Sequence, residues 1–377
     1  MIQVISRFTV RFPALGLGWL AMAAPAAAAP GAGLENPVWQ RGIQMGYSVG
    51  QHGKPWPGWK DPLANNNRAG FYIRQLRLGA TVPFDSNFSG TVTGNLMTAE
   101  VEDAFLQARW GAYLFTAGKF MGAGLHTGTG FDEFHTVTIH KPLYTRLWSV
   151  YDRLFNFRDF GVQVERDFRE GKVRNRFFLH NANLQNVIDD EPSFGSGAVT
   201  QALGLDYALD WRISPYTVIG GHAGAVADRE WAEFLGNRKP WEVNYWFKTN
   251  PIVHGSLYHQ MDFPRFHLLS EALLVSNRNV RIAPEFKPMK SWAVSSLLRL
   301  EHTPRLGSFY RYEFFDPSDG ADRNDAVQLF TLGGLFRPSP AAHPGLILTA
   351  EYVRALEEGG RNLLSNDIAY LQLQMLF

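Results

Sequence analysis

Short runs of alternating apolar and polar residues recur along the chain, and they constrain its fold more than any other feature. The run at 368–377, IAYLQLQMLF, has apolar side chains on every second position from Ala369 to Phe377, with Gln372 and Gln374 between them. A period of two is the pattern of a β-strand with one apolar and one polar face. After residue 28, no run of about 18 apolar residues predicts a transmembrane helix. We therefore expect an all-β chain.

Similar alternation occurs at 71–82, 102–110, 252–262 and 345–353. In the first of these runs, Tyr72, Leu76 and Leu78 are expected on the apolar face, opposite a polar face that carries Ile73, Gln75 and Arg77. A soluble β-sandwich also alternates, but one sandwich holds about 100 residues. The polar sets here are plentiful, and no linker divides the chain into units of that size. A β-barrel with one face toward lipid and the other toward a wet lumen fits better.

The first 28 residues have the organisation of a secretory signal peptide, with a retained membrane anchor as the alternative. Arg7 and Arg11 precede an apolar stretch at 14–24, and small residues lead to an expected cleavage site after Ala28. Cleavage removes two of the 36 basic residues and none of the 35 acidic ones, so the net charge falls from +1 to −1. No basic field therefore indicates nucleic-acid binding. The absence of cysteine excludes thiolate metal sites and covalent haem attachment.

Long and short connections alternate between the predicted strands. The long ones include 51–69, 122–159 and 182–199, and the short ones include 83–87, 111–112 and 249–251. Long extracellular loops and short periplasmic turns are typical of bacterial outer-membrane barrels, which have even strand numbers. We predict a single antiparallel transmembrane barrel over 29–377, with 16 strands, or 18 if the weakly patterned zone 263–290 contains NVRIAPEF as a strand. Its last strand is expected to pair with the first.

Several stretches resemble the phosphate-selective porin family of the O and P type. The segments at 73–84 and 101–125 are similar to an Arg-rich strand followed by a strand–turn–strand unit that ends in Gly-x-Phe. FRDFGV at 157–162 is similar to the family's Arg-Asp-x-Gly-Val segment, and 310–336 with AEYV at 350–353 is similar to its closing strands. The resemblance implies a water-filled outer-membrane channel, often trimeric, in which the loop 122–159 folds into the lumen as a constriction.

The same resemblance implies which residues line the pore. Arg77 matches the lumen-facing arginine of the Arg-rich strand, and Lys119 lies where the chain enters the loop. The candidates at the constriction are then Asp132, Glu133, Lys141, Arg146, Arg153, Arg158 and Asp159. Arg77, Arg109 and Lys119 form either a basic strip on one wall or ordinary lumen residues that are paired with acids.

The charge of the loop argues against phosphate selectivity. Residues 122–159 contain four Lys or Arg and, with Asp152, four Asp or Glu. Selective binding of phosphate would require clustered arginines and lysines. We therefore expect a constriction of mixed charge, which orients dipolar solutes in a local transverse field.

The leading hypothesis is a passive channel for small hydrophilic or ionic solutes, with no cofactor, no metal and no enzymatic activity. A barrel enzyme is one alternative, but no Gly-x-Ser-x-Gly motif is present, and His254 and Ser256 share a strand face as alternating residues do by chance. A barrel sheath around a partner electron carrier is another alternative. The loop histidines at 126, 135 and 140 do not have the spacing of a helical metal-binding pair, so a solvated loop is a better interpretation than a metal site.

The partners that this hypothesis implies are outer-membrane lipids and lipopolysaccharide, the permeating solutes or ions, and further copies of the chain in a homotrimer. A Gram-negative outer membrane, reached through the periplasm, is the expected location. The terminal aromatic Phe377 resembles the signal that is read by the outer-membrane assembly machinery, so its deletion is expected to impair assembly.

Overall fold

The computed structural model describes residues 37–50, 70–97, 99–122, 138, 159–180, 203–227, 252–282, 285–319, 326–340, 345–357 and 367–376. These residues contain sixteen strands: β1 (Val38–Gly50), β2 (Gly70–Pro83), β3 (Phe88–Asn95), β4 (Glu100–Trp110), β5 (Tyr113–Phe120), β6 (Asp159–Phe168), β7 (Val173–His180), β8 (Leu203–Ser214), β9 (Thr217–Ala227), β10 (Ile252–Phe263), β11 (Phe266–Ile282), β12 (Glu285–Glu301), β13 (Leu306–Asp319), β14 (Val327–Phe336), β15 (Ile347–Glu357) and β16 (Ile368–Leu376). None of these described residues forms a helix that is long and apolar enough to cross a membrane.

The strands form one closed antiparallel barrel. Each strand pairs with its neighbours in sequence, and β1 pairs with β16 from Gly42 opposite Leu376 to Gly50 opposite Ile368. Across this seam, Gln44 Nε2 donates a hydrogen bond of 2.8 Å to Gln374 Oε1. Closure leaves no strand edge with unpaired backbone groups. The predicted all-β barrel and the pairing of its last strand with its first are confirmed, with 16 strands.

The alternative of 18 strands is wrong. The zone 263–290 is occupied by β11 and β12, each 17 residues long, so NVRI extends β11 and does not form a separate strand. The predicted short connection at 249–251 lies outside the described residues. Within the described part of the chain, β9 pairs directly with β10, and a short turn at Pro264 and Arg265 follows β10. Periodicity detects strands, but only their pairing shows which of them are neighbours.

Six turns at one end of the barrel are short, at 84–87, 111–112, 169–172, 215–216, 264–265 and 302–305. Three of them have only two residues, and in the one that joins Trp110 to Tyr113 through Gly111 and Ala112, Gly111 has a φ of 59°. The primed turns that match the twist of a hairpin have a positive φ at their first central residue, and glycine adopts it without steric cost. Most of the longer connections join strands at the other end of the barrel. Two connections at that end are short, at 96–99 and 283–284.

The inner face of the barrel is largely polar, and the outer face is largely apolar. On β10, His254, Ser256 and Tyr258 are buried, whereas Leu257 is 72% exposed. On β16, Gln372 and Gln374 are buried and Leu371 is exposed. Successive residues of a strand point to opposite faces, so the buried set lines the interior. This arrangement is the inverse of a soluble protein, in which large apolar side chains are mostly buried.

Tyr72 and Ile73 of β2 each lie on the opposite face of the barrel wall to the one predicted. The register of β1 with β2 shifts between Gln44 and Met45, where Gln75 and then Ile73 are the partners, so Arg74 is an extra residue. A one-residue bulge exchanges the faces of all residues beyond it. Tyr72 therefore lies over Gly46 on the inner side, and Ile73 is exposed on the outer side.

Candidate functional site

The inner wall of the barrel is the candidate functional site, because polar side chains are concentrated there. Among the described residues, the charged side chains that are buried comprise two arginines and five acids: Arg77, Arg311, Asp159, Asp206, Glu271, Glu313 and Glu351. Opposite charges lie close together at several points, since a buried charge needs a partner. The acidic majority does not make this wall attractive to anions.

Arg77 is paired with an acid on the inner side of β2. Its Nε lies 2.7 Å from Oε2 of Glu102 on β4, and Gln75 Nε2 donates to the other oxygen of Glu102 at 2.8 Å. Glu102 reaches this position because the register of β3 with β4 shifts between Thr93 and Gly94. Of the two alternatives for Arg77, the structure therefore shows the lumen residue that is paired with an acid.

The three bases predicted for one wall do not form a single strip. Arg77 lies opposite Asn95 at one end of β3, whereas Arg109 is exposed near the other end, beside the β4–β5 turn. Lys119 alternates with the buried Phe120 and pairs with the exposed Phe160, so it lies on the outer face and not on the inner wall. Its Nζ donates to the backbone carbonyl of Val101 at 2.7 Å. Seven further predicted residues lie outside the described part of the chain, so their roles stay predictions: Asp132, Glu133, Lys141, Arg146, Arg153, Arg158 and Phe377.

A residue of the connection between β5 and β6 contacts the opposite side of the barrel. Arg311 on β13 donates from Nη1 to Thr138 Oγ1 at 2.6 Å, and its Nε lies 2.8 Å from Glu313 Oε2. In a ring of sixteen, β13 is eight strands away from β5. The chain at Thr138 is therefore held at the wall that faces its own strands.

A second polar group, which the sequence analysis missed, spans the neighbouring strands β6 to β10. Asp206 lies at its centre, with His222 Nε2 and His254 Nε2 at 3.0 Å and 2.8 Å from its Oδ1. His180 Nε2 lies 2.9 Å from its Oδ2, and His180 Nδ1 lies 2.7 Å from Asp159 Oδ2. Asp159 was expected at the constriction, and it is here the partner of His180. We call Asp159, His180, Asp206, His222 and His254 the histidine cluster.

Aromatic residues support the histidine cluster. The rings of Phe178 and His180 are stacked, with centroids 4.6 Å apart and planes 9° apart, and Phe120 packs behind Phe178 at 5.1 Å. Nearer the short turns, Arg176 Nη2 lies 3.0 Å from both carboxylate oxygens of Asp210, which also accepts a hydrogen bond from Tyr258 Oη. This wall therefore combines a fixed ion pair with several imidazoles.

Sequence spacing concealed the histidine cluster, because His180, His222 and His254 are separated by 42 and 32 positions. Only His254 has a predicted facing, on the polar face of the run at 252–262, and this was the one available signal. Strand register brings them together, since Asp206 and His254 are both direct partners of Gly224. Register results from the turns and pairings of all neighbouring strands together, which alternation alone does not specify.

Comparisons with known proteins give structural relatives only. No protein-family model matches the chain, and no curated protein matches it. Among solved structures, the outer membrane channel DcaP of Acinetobacter baumannii is similar with a TM-score of 0.62, 10% identity, and coverage of 91% of this chain and 97% of that one. OprB of Pseudomonas putida is similar with a TM-score of 0.60 and 12% identity, over 90% of this chain and 94% of that one. The trimer form of the outer membrane protein OmpT of Vibrio cholerae is similar with a TM-score of 0.54 and 9% identity, over 91% of this chain and 99% of that one.

Proposed function

We propose that this chain is an outer-membrane porin, a passive water-filled channel for small hydrophilic and ionic solutes. The observation that carries the proposal is the closed ring of sixteen strands with a polar inner face and an apolar outer face. Side chains fill the interior of a ring of about 8 strands, whereas a ring of about 16 strands is wide enough for an aqueous channel. The likeness to DcaP, an outer membrane channel, supports the same function.

The proposed channel does not prefer phosphate. Five buried acids against two buried arginines on the described inner wall support a weak preference for cations. A relation to the phosphate-selective porin family is proposed only on the motifs at 73–84, 101–125 and 157–162, and it does not carry the selectivity of that family with it.

A constriction by the connection 122–159 is part of the proposal. The hydrogen bond from Arg311 to Thr138 supports it, because this bond ties a residue of the connection to the far wall of the barrel. A chain that crosses the lumen narrows the path, and the charges beside it determine which solutes pass.

The proposed location is the outer membrane of a Gram-negative bacterium, after export and cleavage of a signal peptide at residues 1–28. Exposed aromatic and aliphatic side chains on the outer face would contact lipid, and exposed residues near the end with the longer connections would contact lipopolysaccharide. Assembly as a homotrimer is supported by the trimer form of OmpT of Vibrio cholerae. Insertion by the outer-membrane assembly machinery belongs to the same proposal.

We infer a channel rather than an enzyme. His254 and Ser256 follow each other on the inner face of β10, as a base and a nucleophile would, but the Nε2 of His254 faces the carboxylate of Asp206. Catalysis by serine needs a hydrogen bond between the hydroxyl and the imidazole, and within the described residues none joins these two side chains. The sheath for an electron carrier remains the other alternative.

Swelling of proteoliposomes in solutions of uncharged sugars tests the proposed function. Wild-type protein should admit small sugars at rates that fall steeply with solute size, because a fixed aqueous path excludes large solutes. Liposomes that do not swell in any sugar, although the protein is folded and inserted, would contradict a passive channel.

The variant Arg311→Ala tests the constriction within the same assay. Loss of the bond to Thr138 should let larger sugars enter and should speed the entry of small ones. Arg305→Ala, an exposed residue of the β12–β13 turn, is the matched control and should leave the size limit unchanged. If Arg311→Ala behaves like this control, residue 138 does not hold the limiting constriction.

A further inference from the structure

The inner wall between β8 and β10 brings two imidazole nitrogens and one carboxylate oxygen together. Asp206, His222 and His254 each offer one donor atom, and the three atoms lie within 4.8 Å of one another. The three side chains are at least nine-tenths buried. They come from three adjacent strands, so the rigidity of the sheet fixes their positions.

Strand pairing explains why the three donors converge. Gly224 on β9 is the direct partner of Asp206 on β8 and of His254 on β10, and His222 lies two residues earlier on the same face of β9. A Cβ at position 224 would lie 1.8 Å from Asp206 Oδ1 and 2.4 Å from His254 Nε2. The missing side chain of Gly224 therefore creates the space that the donor atoms occupy.

The distances suit a metal ion. The two imidazole nitrogens lie 3.0 Å and 2.8 Å from Asp206 Oδ1. Zinc binds nitrogen and oxygen at about 2.0–2.2 Å, so two atoms that share one ion lie roughly 3–4 Å apart. Small side-chain rotations would open the group from hydrogen-bonding distance to this separation.

The second carboxylate oxygen of Asp206, Oδ2, contacts His180. His180 Nε2 lies 2.9 Å from Oδ2, and its other nitrogen lies 2.7 Å from a carboxylate oxygen of Asp159. The stacked Phe178 ring limits rotation of His180. Groups that orient a ligating carboxylate in this way are a regular feature of metal sites. Oδ1 is thus directed at the two other imidazoles.

We propose that Asp206, His222 and His254 form a binding site for a divalent transition-metal ion of the zinc class on the inner wall of the barrel. Two imidazoles and one carboxylate are ligands that suit Zn²⁺, Cu²⁺, Ni²⁺ or Fe²⁺ and leave coordination positions for water. Ca²⁺ and Mg²⁺ prefer sites that consist of oxygen ligands. The site depends only on the fold of the wall and not on whether the barrel conducts solutes.

The direct test is zinc binding by the untagged, folded barrel in detergent after treatment with a chelator. Equilibrium dialysis with metal analysis should give one tightly bound Zn²⁺ per chain, retained in a large excess of Ca²⁺. Because protons compete with zinc for imidazole nitrogens, the binding should weaken as the pH is lowered. Wild-type protein that binds no stoichiometric zinc at neutral pH would overturn the proposal.

Variants assign the bound ion to these residues. His222→Ala and His254→Gln should each abolish stoichiometric binding, and Gly224→Ala should do the same by displacing two donor atoms while it keeps every ligand. His180→Gln should weaken binding about 10- to 100-fold, as expected for a residue that positions a ligand. His302→Ala, at an exposed turn, is the control and should bind zinc like the wild type.

Two results would refute this assignment. One is full zinc binding in both His254→Gln and Gly224→Ala. The other is loss of the ion only when the histidines at 126, 135 and 140 are replaced, which would place it elsewhere. Circular dichroism and the mobility of unheated protein in gels check that each variant is folded. If His222→Ala does not fold, the folded His254→Gln and Gly224→Ala variants decide the question.

Discussion

At the scale of single residues, two bulges decide which charged side chains point inward. The one at Arg74 moves Tyr72 to the inner side, and the one near Thr93 brings Glu102 to Arg77. Alternation alone correctly assigned the inner face of β10 and β16, where the register is regular. It failed at 72 and 73 because one inserted residue reverses every facing beyond it, and no turn residue in the sequence signals the insertion.

Replacement of Glu102 by Gln should destabilise the barrel. Arg77 and Glu102 have side chains that are 5% and 11% exposed, so the loss of the negative charge leaves a buried guanidinium with weaker partners. We expect a loss of about 1–3 kcal/mol in the free energy of unfolding. Urea titration followed by tryptophan fluorescence, with the protein in detergent micelles, measures it.

Asp167→Asn is the matched control for that change. Its partner Arg174 and Asp167 itself are 48% and 43% exposed, so solvent already screens the pair. The expected cost is about 0–1 kcal/mol. Equal effects of the two substitutions would show that Glu102 does not compensate a buried charge.

At the scale of strands, close packing on the inner face depends on glycines opposite aromatic rings. Phe309 on β13 is fully buried, and its register partner on β14 is Gly333. A Cβ at 333 would lie 2.0 Å from Cζ of Phe309, whereas a Cβ at the outward-facing Gly334 would have its nearest neighbour at 3.7 Å. These adjacent glycines thus have different structural roles that the sequence does not distinguish.

Gly333→Ala should therefore destabilise the β13–β14 pair, and Gly334→Ala should not. Overpacking at 333 is expected to cost about 1–3 kcal/mol, and the change at 334 should stay within about 0.5 kcal/mol. Urea unfolding of both variants compares them directly. A similar stability for the two would mean that the Phe309 ring moves aside without cost.

The seam between β1 and β16 offers a second prediction at this scale. Gln44 and Gln374 are hydrogen-bonded across the seam and are 0% and 5% exposed. Gln44→Leu and Gln374→Leu should each cost about 1–3 kcal/mol, because each leaves a buried amide with one partner fewer. In the double variant, the combined loss should fall short of the sum by about 0.5 kcal/mol or more. Strict additivity in a double-mutant cycle would show that the two amides do not stabilise each other.

At the scale of the whole molecule, the sequence predicted the closed antiparallel barrel, because repeated alternation without long apolar runs has few other solutions. It left the strand number open between 16 and 18. The histidine cluster could not be predicted in the same way. It depends on the register of five consecutive strands, β6 to β10, and that register results from all pairings together. The Arg311–Thr138 bond is of the same kind, since it joins points eight strands apart.

Single-channel recording in planar bilayers tests the central claim, a water-filled path through the barrel, most directly. The account predicts discrete current steps that are proportional to voltage. In a potassium chloride gradient, the reversal potential should show a weak preference for cations, and millimolar phosphate should not block the current. The absence of discrete steps from folded, inserted protein would contradict the channel, and an anion-selective current blocked by phosphate would contradict the proposed charge of its wall.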